Sequence, residues 1–404
     1  SLGDREGEPA GDLCTRRCIV KIAIDYTPAV RQIAGVGRYT RSLVQALIHT
    51  APDDSYTLLY AGAAPSIPLS AGVETAAHRD GGAVTLRRLP VPERLLTVLW
   101  HRWRVPLWAD LCSPGSAVFY SPNFVLPPLL RAKGVVTVHD LSFLRYPETH
   151  DPGLVAFLTA AVPRAVRAAA LVLADSEHTR QDTIALLGVP PEKTAVLLSA
   201  ADPIFRPVDD PAVLAAMRRR RGLDRPYILS VGTVQPRKNL PRLIAAVRRL
   251  RERTGEDIVL VHAGRRGWLY AEVQQAVQDH EMTDSFRLFE DADDSELRLL
   301  YAGAVTLAYP SLYEGFGLPC VEAMACRCPV VASDVSSVPE VVGDAGLLVE
   351  PTDVEALTDA LSRCLGDSEL RSTLIKRGTA QAARFTWERS AAELHRLLHE
   401  VGGS

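Results

Sequence analysis

Residues 227–250, YILSVGTVQPRKNLPRLIAAVRRL, join a short apolar run to an amphipathic stretch through a polar loop. The run Tyr227–Val231 has the length and apolarity of a buried strand, and residues 240–253 repeat their apolar positions with the period of a helix. The same alternation recurs along most of the chain, and it is typical of βαβ units that build a parallel sheet. We therefore expect an α/β protein.

The alternation runs twice, which predicts two doubly wound parallel-sheet lobes of similar size. The predicted strands are 18–25, 56–60, 84–89, 117–120, 135–139, 171–174 and 195–198 in the first lobe, and 227–231, 258–263, 286–288, 305–308, 330–332 and 346–349 in the second. The predicted helices include 37–49, 92–108, 152–169, 177–187, 240–253, 269–280, 295–302, 319–326, 354–365, 369–384 and 387–401.

The chain also divides by composition. Residues 202–225 combine prolines with charged residues, which fits a connection between domains. We expect a flexible tail at 1–17, a first domain at 18–205, a second domain at 206–385 and a last helical segment at 386–404.

The composition is that of a soluble globular enzyme. Of 404 residues, 47% are hydrophobic and 23% are charged, which rules out a disordered chain, a collagen-like fibre and a coiled coil. A formal charge of −3 gives no global basic surface for nucleic acid. Seven cysteines suggest no disulfide framework, and no apolar run approaches the roughly 20 residues of a spanning helix. Residues 1–14 lack the apolar core of a secretory signal, so we expect a cytoplasmic protein.

The segment 311–322, SLYEGFGLPCVE, follows a predicted strand and opens a predicted helix. In an open parallel sheet, ligands bind outside the carboxyl ends of the strands, so this turn belongs to the expected cleft. Gly315 and Gly317 allow the backbone to approach a ligand, and a helix N-terminus favours an anion such as phosphate. Glu314 and Glu322 can both face one site and accept hydrogen bonds from sugar or ribose hydroxyls. Helix capping and surface exposure are the alternative roles of these two acids.

The loop 232–241, GTVQPRKNLP, also follows a strand and opens a helix. Asn239 is placed to cap that helix, with Pro241 in its first turn. Arg237 and Lys238 are unfavourable beside a helix N-terminus unless a polyanion lies between them and the helix. Arginine holds phosphate in a fork and lysine supplies a point charge, so we expect a phosphate site here. The alternative is a solvated basic loop.

Three motifs of the first lobe point more weakly to the same cleft. Gly35 and Gly37 follow the first strand and either approach a diphosphate or only form a turn. The third glycine of a dinucleotide fingerprint is missing at Thr40, which argues against an NAD-dependent dehydrogenase. His139 ends a strand and either donates to a sugar or phosphate or is a satisfied structural histidine. Ser176 is either a helix cap or a polar contact in the cleft.

No pattern in the sequence predicts a metal site. The pairs Cys326/Cys328 and Cys14/Cys18 lack the second pair that a zinc site needs, and no DxD string flanks the cleft motifs. The acids at 291–294 are expected to cap the helix that begins near residue 295.

The stretch 94–108 holds three of the five tryptophans together with four basic residues. Such a stretch either rests on a membrane surface or packs as a helix on its lobe.

Together these motifs resemble those of the retaining, nucleotide-sugar-dependent glycosyltransferases of family four, the group 1 glycosyltransferases with the GT-B fold. The likeness extends from Ile19 to about Val401 and is strongest over 300–351, and the strings VGTVQPRKNL, VHDLSFLRYPE, GVGRYTRSL and FTWERSAAEL match in order and spacing. It implies two Rossmann-like domains facing a central cleft. The first would bind the acceptor and be joined by the segment 386–404, and the second would bind the nucleotide sugar.

The resemblance also implies roles for matching residues. Glu314 would contact hydroxyls of the transferred sugar, and Glu322 would hold the ribose. Arg237 and Lys238 would bind the diphosphate and stabilise it as it leaves, and His139 would lie beside the sugar. Further positions implied to line the donor site are Gly35, Gly37, Gly232, Phe316, Gly317 and Leu318. Arg327 stands where the family usually has glycine.

The favoured function is therefore retaining, metal-independent transfer of a hexose from a GDP- or UDP-sugar to a glycan or lipid-linked glycan. GDP-mannose is the expected donor because it is frequent in the family. We expect no cofactor beyond the donor, no nucleic-acid partner and a cytoplasmic location, with association at the inner membrane surface left open. A nucleotide-sugar 2-epimerase of the same fold, which needs no acceptor, and a non-catalytic nucleotide-sugar-binding protein are the alternatives.

Overall fold

Two parallel β-sheets organise the chain. The structure, a computed structural model, describes residues 19–32, 35–62, 65, 67–69, 71–77, 84–103, 105–267 and 270–403. The first sheet contains β1 (Lys21–Asp25), β2 (Ser55–Ala61), β3 (Val84–Leu89), β4 (Val118–Ser121), β5 (Lys133–Val138), β6 (Leu171–Ala174) and β7 (Thr194–Val196). The second contains β8 (Tyr227–Val231), β9 (Val259–Ala263), β10 (Phe286–Phe289), β11 (Thr306–Tyr309), β12 (Val330–Ser333) and β13 (Leu347–Val349).

Both sheets have the strand order of a Rossmann fold. The first runs β3-β2-β1-β4-β5-β6-β7 and the second runs β10-β9-β8-β11-β12-β13, with every pairing parallel. The order reverses between β1 and β4 in one sheet and between β8 and β11 in the other. Ligands bind at such reversals, outside the carboxyl ends of the strands. The prediction of two doubly wound parallel-sheet lobes is confirmed.

Helices cover both faces of the two sheets. They are α1 (Thr27–Arg31), α2 (Val36–Thr50), α3 (Ala71–Ala77), α4 (Glu93–Thr97), α5 (Ser142–Arg145), α6 (Pro152–Ala168), α7 (Glu177–Leu187) and α8 (Pro211–Arg221). They continue as α9 (Leu240–Thr254), α10 (Tyr270–Asp279), α11 (Asp294–Gly303), α12 (Leu318–Ala325), α13 (Val338–Val342), α14 (Val354–Gly366), α15 (Ser368–Ala382) and α16 (Trp387–Gly403).

Two predicted segments differ from the structure. The predicted helix 92–108 ends early: α4 passes into one π-helical turn, Val98–Arg102, and no helix continues to residue 108. Pro106 explains the break, since proline lacks an N–H and disfavours helical backbone in the residue before it. The predicted connection 202–225 contains α8, which Asp210 caps by accepting the N–H of Ala212 at 2.8 Å.

The last helix, α16, packs on the first sheet although it follows the second. Its buried residues Trp387, Leu394 and Leu398 belong to the same apolar cluster as β1, α2 and β4. Apolar clusters on the two faces of the second sheet are separate from it. The first and the last described segments, β1 and α16, therefore belong to one lobe.

The expected tail at 1–17 and the pair Cys14 and Cys18 lie outside the described residues. The five described cysteines are free thiols, and no described helix has the length and apolarity to cross a bilayer. Arg327, where the family usually has glycine, has a φ of 60°, the left-handed conformation that glycine adopts without strain.

Replacing Trp387 with alanine tests the docking of α16. Trp387 is buried in the first-lobe core and packs edge-on against Tyr39 at a ring-centroid distance of 5.7 Å. We expect Trp387→Ala to lower the free energy of unfolding by about 3–5 kcal/mol in urea denaturation. Trp103, which is 66% exposed, gives a matched control. Trp103→Ala should change the free energy of unfolding by less than about 0.5 kcal/mol. Equal effects of the two substitutions would contradict this packing.

Candidate active site

The two strand-order reversals bring the predicted motifs to one cavity of about 250 Å³. Loops of the first sheet contribute one wall, and the loops after β8 and β11 contribute the other. The cavity is lined by Gly35, Val36, Tyr39, His139, Asp140, Asp175, Ser199, Lys238, Tyr309, Glu314, Gly315, Phe316, Gly317, Leu318 and Pro319. Sequence motifs more than 270 residues apart thus face one another, Gly35 against Glu314 among them.

A buried ion cluster lies on the second-lobe wall. Glu314 Oε2 is 2.8 Å from Arg237 Nη1, and Glu314 Oε1 is 2.6 Å from Lys238 Nζ. Lys238 Nζ also donates a hydrogen bond to the Tyr309 hydroxyl at 2.8 Å. All three charged side chains are at most 12% exposed. One carboxylate therefore faces two cations, and the cluster has an excess of positive charge.

Burial and charge act in opposite directions on these groups. Burial alone would raise the pKa of Glu314, but Arg237 and Lys238 outweigh it and lower that pKa to about 2. Burial lowers the pKa of Lys238, and Glu314 offsets this only in part. Burial opposes the charge on Arg237, but Glu314, together with Asp140 and Tyr309, outweighs burial, and the Arg237 pKa is raised. Glu314 is thus a carboxylate at neutral pH and is a poor proton donor there.

Hydrogen bonds to backbone carbonyl oxygens hold the loop after β8 against the loop after β11. Arg237 donates to the carbonyl oxygen of Tyr313, and the N–H of Leu312 donates to the carbonyl oxygen of Arg237 at 2.9 Å. Asn239 occupies the N-cap position of α9, but it has a left-handed φ of 59° and its side chain makes no cap bond. Its amide donates instead to the carbonyl oxygens of Pro310 at 3.0 Å and Pro351 at 2.6 Å. The predicted capping role of Asn239 is wrong, because this amide ties neighbouring loops together.

The N-terminus of α12 lies at the cavity wall. Gly317 is the N-cap residue with φ 105°, and Leu318 and Pro319 begin the helix. The first N–H groups of a helix have no intrahelical partner and carry partial positive charge. The buried Phe316 ring packs against Phe385 at a ring-centroid distance of 5.4 Å, which anchors this part of the cavity wall in the second-lobe core.

Glu322 is a buried residue of α12 and does not line the cavity. Its Oε1 is 3.2 Å from Arg38 Nη1 of the first lobe, and its Oε2 accepts a hydrogen bond from the Tyr301 hydroxyl at 2.9 Å. Arg38 also pairs with Asp294 at 3.2 Å. Burial raises the pKa of Glu322, and Arg38 opposes that effect. The ribose role implied for Glu322 stays a prediction, and one of its oxygens is paired across the cleft here.

His139 lines the cavity with both ring nitrogens bonded to protein. Nδ1 lies 2.8 Å from Asp175 Oδ2, and Nε2 lies 2.7 Å from the carbonyl oxygen of Pro122. Burial lowers the pKa of His139, but Asp175, together with the Pro122 carbonyl and Asp140, outweighs burial, and the net shift is upward. Its predicted place beside a transferred sugar stays a prediction. A hydrogen bond from Nε2 to that sugar requires release of the Pro122 carbonyl.

The predicted glycines have different surroundings. Gly35 lines the cavity with φ 57°. Gly37 packs against Gln32, where a Cβ would lie 1.9 Å from the carbonyl oxygen, so close backbone packing explains this glycine. Gly232 has a φ of 130°, and its carbonyl oxygen lies 2.7 Å from His262 Nε2. The Lys238 side chain packs over Gly232, where a Cβ would meet it.

The lobes touch at Gly315. Its carbonyl oxygen accepts hydrogen bonds from Ser176 Oγ at 2.7 Å and Thr179 Oγ1 at 3.1 Å, and a Cβ on Gly315 would lie 1.8 Å from the carbonyl oxygen of His139. Ser176 also caps α7 by accepting the N–H of Thr179, so both roles considered for it occur together. Tyr313 adds a hydrogen bond to Asp182 Oδ2 at 2.7 Å.

Sequence reasoning missed three residues of this site. The GVGRY string contains Arg38 but indicates no role for it. Arg38 pairs with Glu322, which lies 284 residues further along the sequence. Tyr309 is the last residue of β11 and Asp175 directly follows β6, positions where side chains reach the carboxyl edge of a sheet. That position was the available signal for both. Asp293 does cap α11, as expected for the acids at 291–294.

The chain matches two family profiles. A profile described as Glycosyltransferase Family 4 matches residues 33–203, and one described as Glycosyl transferases group 1 matches residues 216–381. Each profile lies within one lobe.

A curated relative and two solved structures are similar over nearly the whole chain. The O-antigen chain mannosyltransferase B of Escherichia coli is 33% identical, over 91% of this chain and 97% of its own length. Sucrose-phosphate synthase from Thermosynechococcus elongatus superposes with a TM-score of 0.73 at 21% identity, over 95% of this chain and 99% of its own. HepE of Anabaena, solved with UDP and glucose, superposes with a TM-score of 0.70 at 17% identity, over 95% of this chain and all of its own. The chain therefore belongs to the group 1 glycosyltransferases of family 4, and it is a hexosyltransferase with the GT-B fold.

Proposed function

We propose that this protein transfers mannose from GDP-mannose to a glycan or lipid-linked glycan, with retention of anomeric configuration and without a metal ion. The ion cluster of Glu314, Arg237 and Lys238 at the wall of the cavity carries the proposal. The name of the Escherichia coli relative, an O-antigen chain mannosyltransferase, supports both the sugar and the glycan acceptor.

The excess positive charge of the cluster suits a diphosphate. Two cations face one carboxylate in a site largely shielded from water, where charge interactions are stronger than in solvent. Arg237 Nε is buried, and no described residue accepts a hydrogen bond from it; such a donor is costly unless a ligand uses it. The N-terminus of α12 adds N–H groups on the same wall. We place the diphosphate between these donors.

The same groups account for catalysis. Negative charge develops on the β-phosphate as the glycosidic bond breaks, and fixed cations aimed at that charge stabilise the transition state. Arg237 and Lys238 supply this stabilisation, so the step needs no metal ion. Contact between the lobes at Gly315 excludes water that would otherwise hydrolyse the donor.

Retention follows if the acceptor attacks from the face of the leaving group. A phosphate oxygen then takes the acceptor proton, and the sugar passes through an oxocarbenium-like state. Glu314 is not placed as a nucleophile, because Arg237 and Lys238 engage its two carboxylate oxygens. Its role is to orient the cations and to accept hydrogen bonds from sugar hydroxyls.

An exposed apolar patch supports association with a membrane surface. The patch consists of Leu95, Trp103, Leu107, Trp108 and Leu111, all at least 37% exposed. The exposed basic residues Arg94, Arg102 and Arg131 lie within the same stretch or on the adjoining loop, which Asp110 holds by accepting the N–H of Leu130 at 3.0 Å. Apolar side chains flanked by cations bind anionic lipid surfaces. A lipid-linked acceptor would reach the first lobe from this side.

Donor identity is tested by thermal stability. In the presence of EDTA, we expect GDP-mannose to raise the melting temperature more than UDP-glucose, UDP-galactose, ADP-glucose or GDP-glucose, since a ligand bound only by the native state stabilises it. A selective shift with a UDP-sugar would replace the donor but keep the site. No shift with any nucleotide sugar would contradict the proposed function.

Substitution of Lys238 tests the role of the ion cluster. We expect Lys238→Ala to reduce kcat by about 10²–10³-fold, the usual loss for one charge-stabilising donor. Glu314→Ala should reduce it by orders of magnitude as well, because the two cations lose their shared partner. Exposed Lys376 provides the matched control, and Lys376→Ala should leave turnover unchanged. Near-wild-type turnover of both folded site variants would show that the site lies elsewhere. Sugar interconversion without acceptor would favour the epimerase.

Vesicle binding tests the apolar patch. We expect the protein to co-sediment with vesicles containing phosphatidylglycerol, and the double substitution Trp103→Ser, Leu111→Ser to reduce the bound fraction by at least about fivefold, because two exposed apolar contacts are lost. Leu186→Ser, at an exposed leucine of α7, is the control and should bind like wild type. Equal binding of all three proteins, or none with wild type, would remove the patch from the proposal.

A further inference from the structure

Outside the cleft, two histidines of α16 converge on one buried carboxylate. His399 Nε2 lies 2.7 Å and His395 Nε2 lies 3.1 Å from the same oxygen, Asp54 Oδ2. Residues four apart on a helix share a face, so both imidazoles reach the same point. The Asp54 side chain is 4% exposed, whereas the histidines are about one-third exposed. In the part of the chain that the structure describes, this is the one cluster of three potential metal ligands whose donor atoms lie within 4.8 Å of one another.

This cluster lies at the opposite edge of the first sheet from the cavity. Asp54 directly precedes β2, and Val20 directly precedes β1, so both are at the amino edge. The Val20 N–H donates to Asp54 Oδ1 at 3.0 Å. That bond orients the carboxylate and leaves Oδ2 facing the histidines, as partners of metal-binding carboxylates commonly do.

We propose that Asp54, His395 and His399 bind a divalent transition-metal ion, with zinc the best match. Two imidazole nitrogens and one carboxylate oxygen are ligands that zinc accepts, with bonds of about 2.0–2.2 Å. At tetrahedral angles such bonds separate the ligand atoms by about 3.3–3.5 Å. The His395 separation is shorter than this by about 0.2–0.4 Å and the His399 separation by about 0.6–0.8 Å. Rotation of the two partly exposed imidazoles away from the carboxylate would supply these differences. A cavity of about 410 Å³ beside the cluster leaves room for water as fourth ligand.

The ion would join the last helix to the first sheet. Asp54 and His399 are 345 residues apart, and α16 reaches the first lobe only after the chain has formed the second. Residue 396 is Arg, paired with Glu393 and Glu400, where the H-E-x-x-H motif of zinc peptidases has its catalytic glutamate. The site therefore clamps the fold and takes no part in sugar transfer. The alternative is a histidine–carboxylate network that binds no metal.

Metal content and thermal stability test the clamp. The untagged full chain is stripped with chelator, incubated with zinc chloride and passed through a desalting column. We expect about one zinc per chain by elemental mass spectrometry and a rise in melting temperature of at least about 2 °C, since the ion binds the native state. The double substitution His395→Ala, His399→Ala should retain less than about a tenth as much zinc and show no rise. The double variant is expected to transfer sugar at the wild-type rate below its melting temperature.

Two controls keep the result interpretable. His280→Ala, which removes a histidine of the second lobe, should bind zinc like wild type. Asp54→Asn keeps the size of the side chain and should weaken zinc binding by at least about tenfold. Zinc that is absent from the wild-type chain, or retained equally by the double variant, would overturn the proposal. The second outcome would assign the metal to other groups, such as the free cysteines.

Discussion

The ion cluster of Glu314 with Arg237 and Lys238 is the interaction on which the cleft depends. Each charge is buried, and removing one partner of a buried pair typically costs about 3–5 kcal/mol because the other is left without compensation. The loops after β8 and β11 must therefore stay together, and the contacts of Arg237 and Asn239 with backbone carbonyls hold them there. One carboxylate balances only part of the charge of two cations. In the proposed function, the remaining positive charge would be what an anionic donor encounters, so stability of the loops and affinity for a diphosphate would have the same origin.

Sheet topology explains why this cluster faces the first lobe. Both sheets reverse their strand order at the point where the motif loops emerge, and each reversal opens a crevice at the carboxyl edge. Gly315 lets the second-lobe loop approach the backbone of His139, and Ser176 and Thr179 of α7 bond to the same carbonyl oxygen. The helix α16, which follows the second sheet in the sequence, packs on the first sheet. At the opposite, amino edge of the first sheet, Asp54 meets α16, and the metal ion proposed there would have a structural role.

Most of the fold could be predicted from the sequence because buried parallel strands read as short apolar runs separated by helical periodicity. The loops that carry Glu314, Arg237 and Lys238 could be predicted too, since polar residues that follow such strands lie at one edge of the sheet. Contacts between distant segments could not be predicted. Nothing local in GVGRY indicates that Arg38 pairs with Glu322, and nothing near residue 54 indicates two histidines at 395 and 399. Two local features also departed from the simple helix pattern. The helix that begins after residue 92 ends early because of Pro106. Asn239 has a left-handed conformation, and its side chain bonds to neighbouring loops and does not cap the helix.

Fixed cations in place of a metal, and attack from the face of the leaving group, form the central claim about this enzyme. The most direct measurement is turnover of the accepted nucleotide sugar with its acceptor in excess EDTA, below the melting temperature of the chelated protein, with the anomeric configuration of the product read by NMR. We expect full turnover and a product with the configuration of the donor. Turnover that EDTA abolishes and magnesium or manganese restores, or a product of inverted configuration, would contradict the claim.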